Sequence, residues 1–90
     1  MFKFKSGIHV DYVEQGYIYF KSRRYNKLPQ AEQKRILNLC IECGGEHYKA
    51  LFEFVTTDAT ATAVSIKYYI SKKTLYRAVK KYYEKFTTVQ

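Results

Sequence analysis

Ile36, Leu39, Cys40 and Cys43 stand at i, i+3, i+4 and i+7, between a proline at position 29 and a glycine pair at 44 and 45. Helical periodicity brings that spacing onto one face. Proline suits the first turn, where its missing N–H has no intrahelical partner anyway. Glycine takes the left-handed conformation that closes a helix at little cost. The segment opened by Leu28-Pro29 and ended by Gly44-Gly45 is therefore read as a helix. The whole chain has 90 residues, enough for one core.

Three further helices follow on the same reasoning. The second runs from about Glu46 to Val55, with a stripe of Tyr48, Leu51, Phe52 and Val55 and with Glu46 near the positive end of its dipole. Thr56-Thr57-Asp58 is a break whose side chains can accept the first N–H groups of the next helix. That third helix spans about Ala59 to Tyr68. A tight turn at Tyr69-Ile70-Ser71 leads to a fourth, about Lys72 to Phe86, with Ser71 as its N-cap and Leu75, Val79, Tyr82 and Phe86 on one side. Ahead of these helices, Phe2, Phe4, Ile8, Val10 and Tyr12 alternate with Lys3, Lys5, His9 and Asp11. Alternation reads as strand. A turn at Glu14-Gln15-Gly16 and a return along Tyr17–Phe20 would make a hairpin, with a short helix over Tyr12–Phe20 as the rival reading. Residues 21–27 read as a basic linker. The expected architecture is mainly α: a tri- or tetrahelical unit over residues 28–90, preceded by a β-hairpin or extended arm over residues 1–27.

Composition narrows the function. Hydrophobic residues are 47% of the chain and charged residues 27%, an ordinary globular balance that argues against disorder. Lys and Arg number 16 against 8 Asp and Glu, a formal charge of +8, so an acidic partner is expected, nucleic acid first among them. The charge is segregated: residues 36–66 hold one basic group against four acidic, and residues 67–90 hold seven against Glu84 alone. No apolar run approaches the roughly 18 residues of a membrane span, and the first residues lack a signal-peptide core. Two cysteines are too few for a disulfide scaffold. A cytoplasmic location follows as the expectation. The 10 Tyr and 6 Phe supply large apolar area to a small core, and so many tyrosines leave some exposed.

Other chemistry has little support. Cys40-x-x-Cys43 followed by His47 gives three zinc-type ligands, with His9 as a distant fourth, where a structural site needs about four. Both cysteines share the apolar stripe of Ile36 and Leu39, so small buried hydrophobes are the simpler identity. A redox C-x-x-C expects a βαβ context that the pattern lacks. No Ser-His-Asp set and no Gly-rich phosphate loop is visible, Asp11 and Glu14 read as solvated carboxylates, and His9 reads as a surface strand residue. No enzyme, cofactor or small-molecule substrate is expected.

The segment Ala61–Lys80, ATAVSIKYYISKKTLYRAVK, carries the most information. Two helices joined by about three residues make a helix-turn-helix plan. Its packing asks for an apolar and then a small residue where the helices cross, and Val64 and Ser65 supply them. Tyr68 closes the first helix, Ile70 plugs the turn, and Leu75 and Ala78 face inward. This segment resembles the helix-turn-helix of bacterial and phage regulators. Ser71–Arg77 looks like the start of a tetracycline-repressor-type recognition helix, and residues 46–86 are similar to the C-terminal DNA-binding region of sigma factors. Where those families usually place glycine in the turn, this chain has Tyr69, and a left-handed tyrosine is uncommon, so the turn is expected to differ or to be strained.

The resemblance implies a set of contacts. Arg77 would read a guanine, because guanidinium bonds that base bidentately. Lys72, Lys73, Lys80 and Lys81 would meet phosphates, flanked by Tyr76, and Thr60 and Thr62 would bond phosphate from the start of the preceding helix. Lys21, Arg23, Arg24 and Lys27 would form a second backbone contact as an arm or wing. The implied function is sequence-specific binding of double-stranded DNA by a small transcription regulator or mobile-element accessory factor. A homodimer is expected, because symmetric half-sites multiply specificity, with the aromatic N-terminal segment as the pairing edge. Two other readings stay open: a protein-interaction module on the same scaffold, and an RNA-binding protein whose tyrosines stack on unpaired bases.

Overall fold

The computed structural model describes residues 10–88, and among them the fold is all-α. Five α-helices follow in order: α1 (Tyr12–Arg23), α2 (Gln30–Gly44), α3 (Tyr48–Thr56), α4 (Ala61–Tyr68) and α5 (Lys72–Thr88). Single 3-10 turns at Tyr25–Lys27 and Gly45–His47 precede α2 and α3. α2 packs on α3 and α5, α1 lies against α3 and α5, and α4 is held by α3 and α5.

The N-terminal region departs from the expected hairpin. Residues 12–23 form a helix, the rival reading, and the preceding half of the hairpin, including His9, lies outside the described residues. Local chemistry explains the helix. Asp11 caps it, accepting from the Glu14 N–H at 2.9 Å, and the Gln15 side-chain amide donates to the Val10 carbonyl at 3.0 Å. The inward residues are Gln15, Ile18 and Ser22, so the helical period is carried largely by polar groups. The expected basic linker is likewise structured: Lys21 and Arg23 complete α1, and residues 25–27 are a 3-10 turn. Because Ile18 is fully buried in the common core, a boundary at residue 27 does not divide the packing.

The remaining elements follow their sequence signals closely. Pro29 sits just before α2 and its carbonyl accepts from the Glu32 and Gln33 N–H groups, both at 3.0 Å. Gly45 ends that helix with φ 55°, a conformation costly for any residue with a side chain. α4 is capped by Thr60, whose hydroxyl accepts from the Ala63 N–H at 3.1 Å, and not by the Thr56–Asp58 break itself. Thr57 instead folds the break, accepting from the Ala59 N–H at 3.2 Å. Ser71 caps α5 as expected, accepting from the Thr74 N–H at 3.1 Å.

One core joins the helices. Ile36, Leu39, Cys40 and Cys43 of α2 are buried with Leu51 and Val55 of α3, Val64 of α4, Ile70, and Leu75, Ala78, Val79, Tyr82, Tyr83 and Phe86 of α5. Tyr48 and Phe52, expected on the α3 stripe, are half-buried, and Ala50 takes an inward position instead. No helix of the described residues is long and apolar enough to cross a membrane.

Candidate nucleic-acid interface

α5 has two faces with different chemistry. Its inward arc holds Leu75, Ala78, Val79, Tyr82, Tyr83 and Phe86, all buried. At about 100° per residue, Tyr76, Lys80, Lys73, Glu84, Arg77 and Lys81 succeed one another around the opposite arc; Glu84 is half-buried and the other five are exposed. Lys72, also exposed, opens the helix beside Lys73.

Three contacts fix this rotational setting. The Tyr82 hydroxyl shares a buried hydrogen bond of 2.7 Å with Ser22 of α1. The Arg35 guanidinium of α2 lies over the Phe86 ring at 4.5 Å and donates to the Phe86 carbonyl at 3.0 Å. Lys85 pairs with Glu42 of α2. Burial pushes the Tyr82 and Tyr83 phenols well above the usual tyrosine range, so both stay neutral and inside.

Four of the eight acidic residues are engaged with Lys or Arg in ion pairs. Lys21 pairs with Glu32, Arg23 with Asp58, Lys67 with Glu53 and Lys85 with Glu42. Among the described residues no ion pair forms on Lys72, Lys73, Arg77, Lys80 or Lys81. The sequence supplies Glu84 alone as an acidic residue beyond position 66. The outer side of α5 therefore sets five cations against the single carboxylate of Glu84 and is net positive.

The turn before α5 adopts the strained form. Tyr69 has φ 54° and ψ 44°, the left-handed conformation, and its side chain is 95% exposed. The Tyr69 and Ile70 N–H groups both return to the Ser65 carbonyl, the latter at 3.1 Å, and Ile70 is buried beneath. This is the closing pattern usually given to glycine, here with a tyrosine. Ser65 sits on α4 with its hydroxyl buried and without a hydrogen-bond partner.

The other residues expected at the site fall into separate groups. Thr60 and Thr62 are exposed at the start of α4, with the Thr60 oxygen engaged as the cap. Tyr76 is 48% exposed and braced edge-on against Phe54 of α3, with ring centres 6.3 Å apart. Arg23 is drawn inward: it pairs with Asp58, donates to the Tyr19 hydroxyl at 2.7 Å and stacks on that ring. Lys21 is held by Glu32, so the expected arm or wing of Lys21, Arg23, Arg24 and Lys27 does not form as one surface. Arg24 and Lys27 remain exposed. Sequence reasoning missed the brace of Phe54 behind Tyr76, because the apolar run Leu51–Val55 does not tell which ring faces α5.

The cysteines have a structural setting. Both are buried, and burial pushes the Cys40 thiol up to about 12 and the Cys43 thiol in the same direction. Among the described residues, no group of three or more His, Cys, Asp or Glu side chains is arranged to hold a metal ion.

No protein-family model matches this chain, and no curated protein or solved structure does either.

Proposed function

We propose that the chain binds duplex DNA through a helix-turn-helix made of α4, the Tyr69–Ser71 turn and α5, acting as a small transcription regulator or mobile-element accessory factor. The observation that carries this reading is the outer face of α5. Five cations, Lys72, Lys73, Arg77, Lys80 and Lys81, lack acidic partners there, while Lys21, Arg23, Lys67 and Lys85 are paired. An unpaired basic stripe on a helix whose opposite face is fixed in the core is preorganised for a polyanion.

Arg77 has the donor geometry for a guanine edge, and the lysines have the point charges for phosphate. Thr60 accepts an N–H as cap but keeps its hydroxyl proton to donate, so it can bond a phosphate oxygen without releasing α4. Arg24 supplies a further cation at the end of α1, whereas Arg23 is committed to Asp58. Fluorescence anisotropy of labelled duplex and single-stranded oligonucleotides, at several salt concentrations, tests the reading. Duplex preference with a log–log salt slope of about −0.9 per phosphate neutralised is expected. Absence of duplex binding at low salt overturns it.

A protein-docking reading is favoured by one other observation, the exposure of Ile66 at 71% and Tyr69 at 95% on the α4 side of the turn. It predicts no salt-dependent duplex binding, so the same titration separates the two.

A further inference from the structure

The turn between α4 and α5 concentrates two unfavourable features. Tyr69 holds the left-handed conformation, φ 54° and ψ 44°, in which the Cβ of an L-residue crowds the following carbonyl oxygen. Among the described residues it is the one non-glycine with positive φ. A turn of helix earlier, the Ser65 hydroxyl is buried without a hydrogen-bond partner, while the carbonyl of the same residue accepts the closing N–H groups.

Nothing inside the fold offsets the choice of tyrosine. Its side chain is 95% exposed and makes no hydrogen bond, ion pair or ring contact with the described residues. The inward position of the turn belongs to Ile70, which is buried. Glycine would make the same backbone bonds without the strain. Strained residues cluster where a protein meets its ligand, and here the strained residue also presents a free polar tip.

We propose that Tyr69 is a phosphate-contacting residue, its hydroxyl donating to a backbone oxygen of duplex DNA beside the phosphates met by Lys72 and Lys73. This inference rests on the reading of α4 and α5 as a DNA-binding helix-turn-helix and adds a residue to it. The surroundings select the ligand. Lys72 and Lys73 follow three and four positions later and are exposed. Three residues of chain span at most about 11 Å, and over that length a duplex presents about six phosphate charges on its two strands. A duplex seated on the two lysines therefore brings a phosphate within reach of a ring that projects from the turn. The phenol O–H is a donor, and tyrosine is among the side chains that bond phosphate oxygens. Such a contact fixes orientation without reading sequence.

Anisotropy of a labelled duplex at several salt concentrations, with wild type, Tyr69→Phe and Tyr69→Gly beside their thermal melts, tests it. Tyr69→Phe keeps the ring and the backbone and deletes the donor alone. It is expected to melt as the wild type does and to bind about tenfold more weakly, the lower end for a hydrogen bond to a charged group. The loss is expected to be equal across duplex sequences, with an unchanged salt slope because no charge is removed. Tyr69→Gly is expected to bind at least as weakly while melting higher, so its weaker binding cannot come from unfolding. Full affinity in Tyr69→Phe overturns this inference, leaves the reading of α5 standing and returns Tyr69 to a protein partner. A lowered melt in Tyr69→Phe also overturns it, since the hydroxyl then serves the fold. A wild type that binds no duplex at low salt overturns the DNA reading and this inference with it.

Discussion

The hydroxyls of Ser22 and Tyr82 lie 2.7 Å apart with both residues buried, and this bond joins α1 to α5. Removing either partner strands the other in an apolar site. Ser22→Ala is expected to cost about 1–3 kcal/mol, the penalty of a buried unsatisfied hydroxyl. Tyr82→Phe falls in the same range, and the double variant recovers part of the loss. Urea denaturation of the four proteins gives the coupling energy, and simple additivity counts against the bond.

Tyr69 is a second place where one residue decides stability. Its left-handed backbone costs an L-residue about 1–2 kcal/mol, and its side chain is almost wholly in solvent. Tyr69→Gly should raise the melting temperature, by somewhat less than that cost because glycine also gains freedom in the unfolded chain. An unchanged or lower melting temperature means the ring makes a contact worth the strain.

On α5, adjacent positions have opposite expected effects. Arg77→Ala leaves the melt unchanged and relaxes sequence preference by about 1–3 kcal/mol at one base pair. Lys73→Ala or Lys80→Ala weakens all duplex sequences alike and lowers the salt slope by about one. Leu75→Ala, on the buried side, destabilises by about 2–5 kcal/mol. Competition binding against a randomised duplex pool, read beside thermal melts, distinguishes the three classes.

Two groups give pH dependence of opposite sign. Glu53 accepts from Lys67 and from the Tyr68 hydroxyl, each at 2.8 Å, and the lysine first and the phenol second hold its carboxyl below the usual range. A depressed carboxyl stabilises the fold above its unfolded pKa, and that contribution is lost as pH falls through the folded value. The difference in urea midpoint between wild type and Glu53→Gln should therefore narrow on acidification. Cys40 behaves oppositely. Its folded thiol keeps its proton up to about 12 while the unfolded thiol ionises earlier, so stability falls as pH rises beyond the ordinary thiol range. Urea midpoints across both ranges check the two signs.

The α2 stripe and the inward set of α5 were readable because apolar residues repeat there with the helical period and each end carries its own stop signal. α1 was not. Its inward Gln15 and Ser22 look like solvent positions until Val10 and Tyr82 are in place to bond them, and its outward rings imitate strand alternation. Arg23 shows the same limit at the candidate site. It reads as one more cation in a basic run, and its partner Asp58 lies far along the chain, so only the packing of α1 against the α3–α4 break reveals that its charge is spent. The exposed cations of α5 were legible for the converse reason. Their phase follows from the buried residues between them, and the sequence offers Glu84 alone nearby to neutralise them.

The net positive side of α5 also bears on the protein when nothing is bound. Like charges held along one rigid rod repel one another, and the chain as a whole carries +8. The free fold thus stores electrostatic tension on the helix that forms much of its core. Added salt relaxes that tension while weakening attraction to a polyanion. If α5 binds DNA as proposed, stability and affinity respond to ionic strength in opposite directions, and the bound polyanion serves as a counterion to that face.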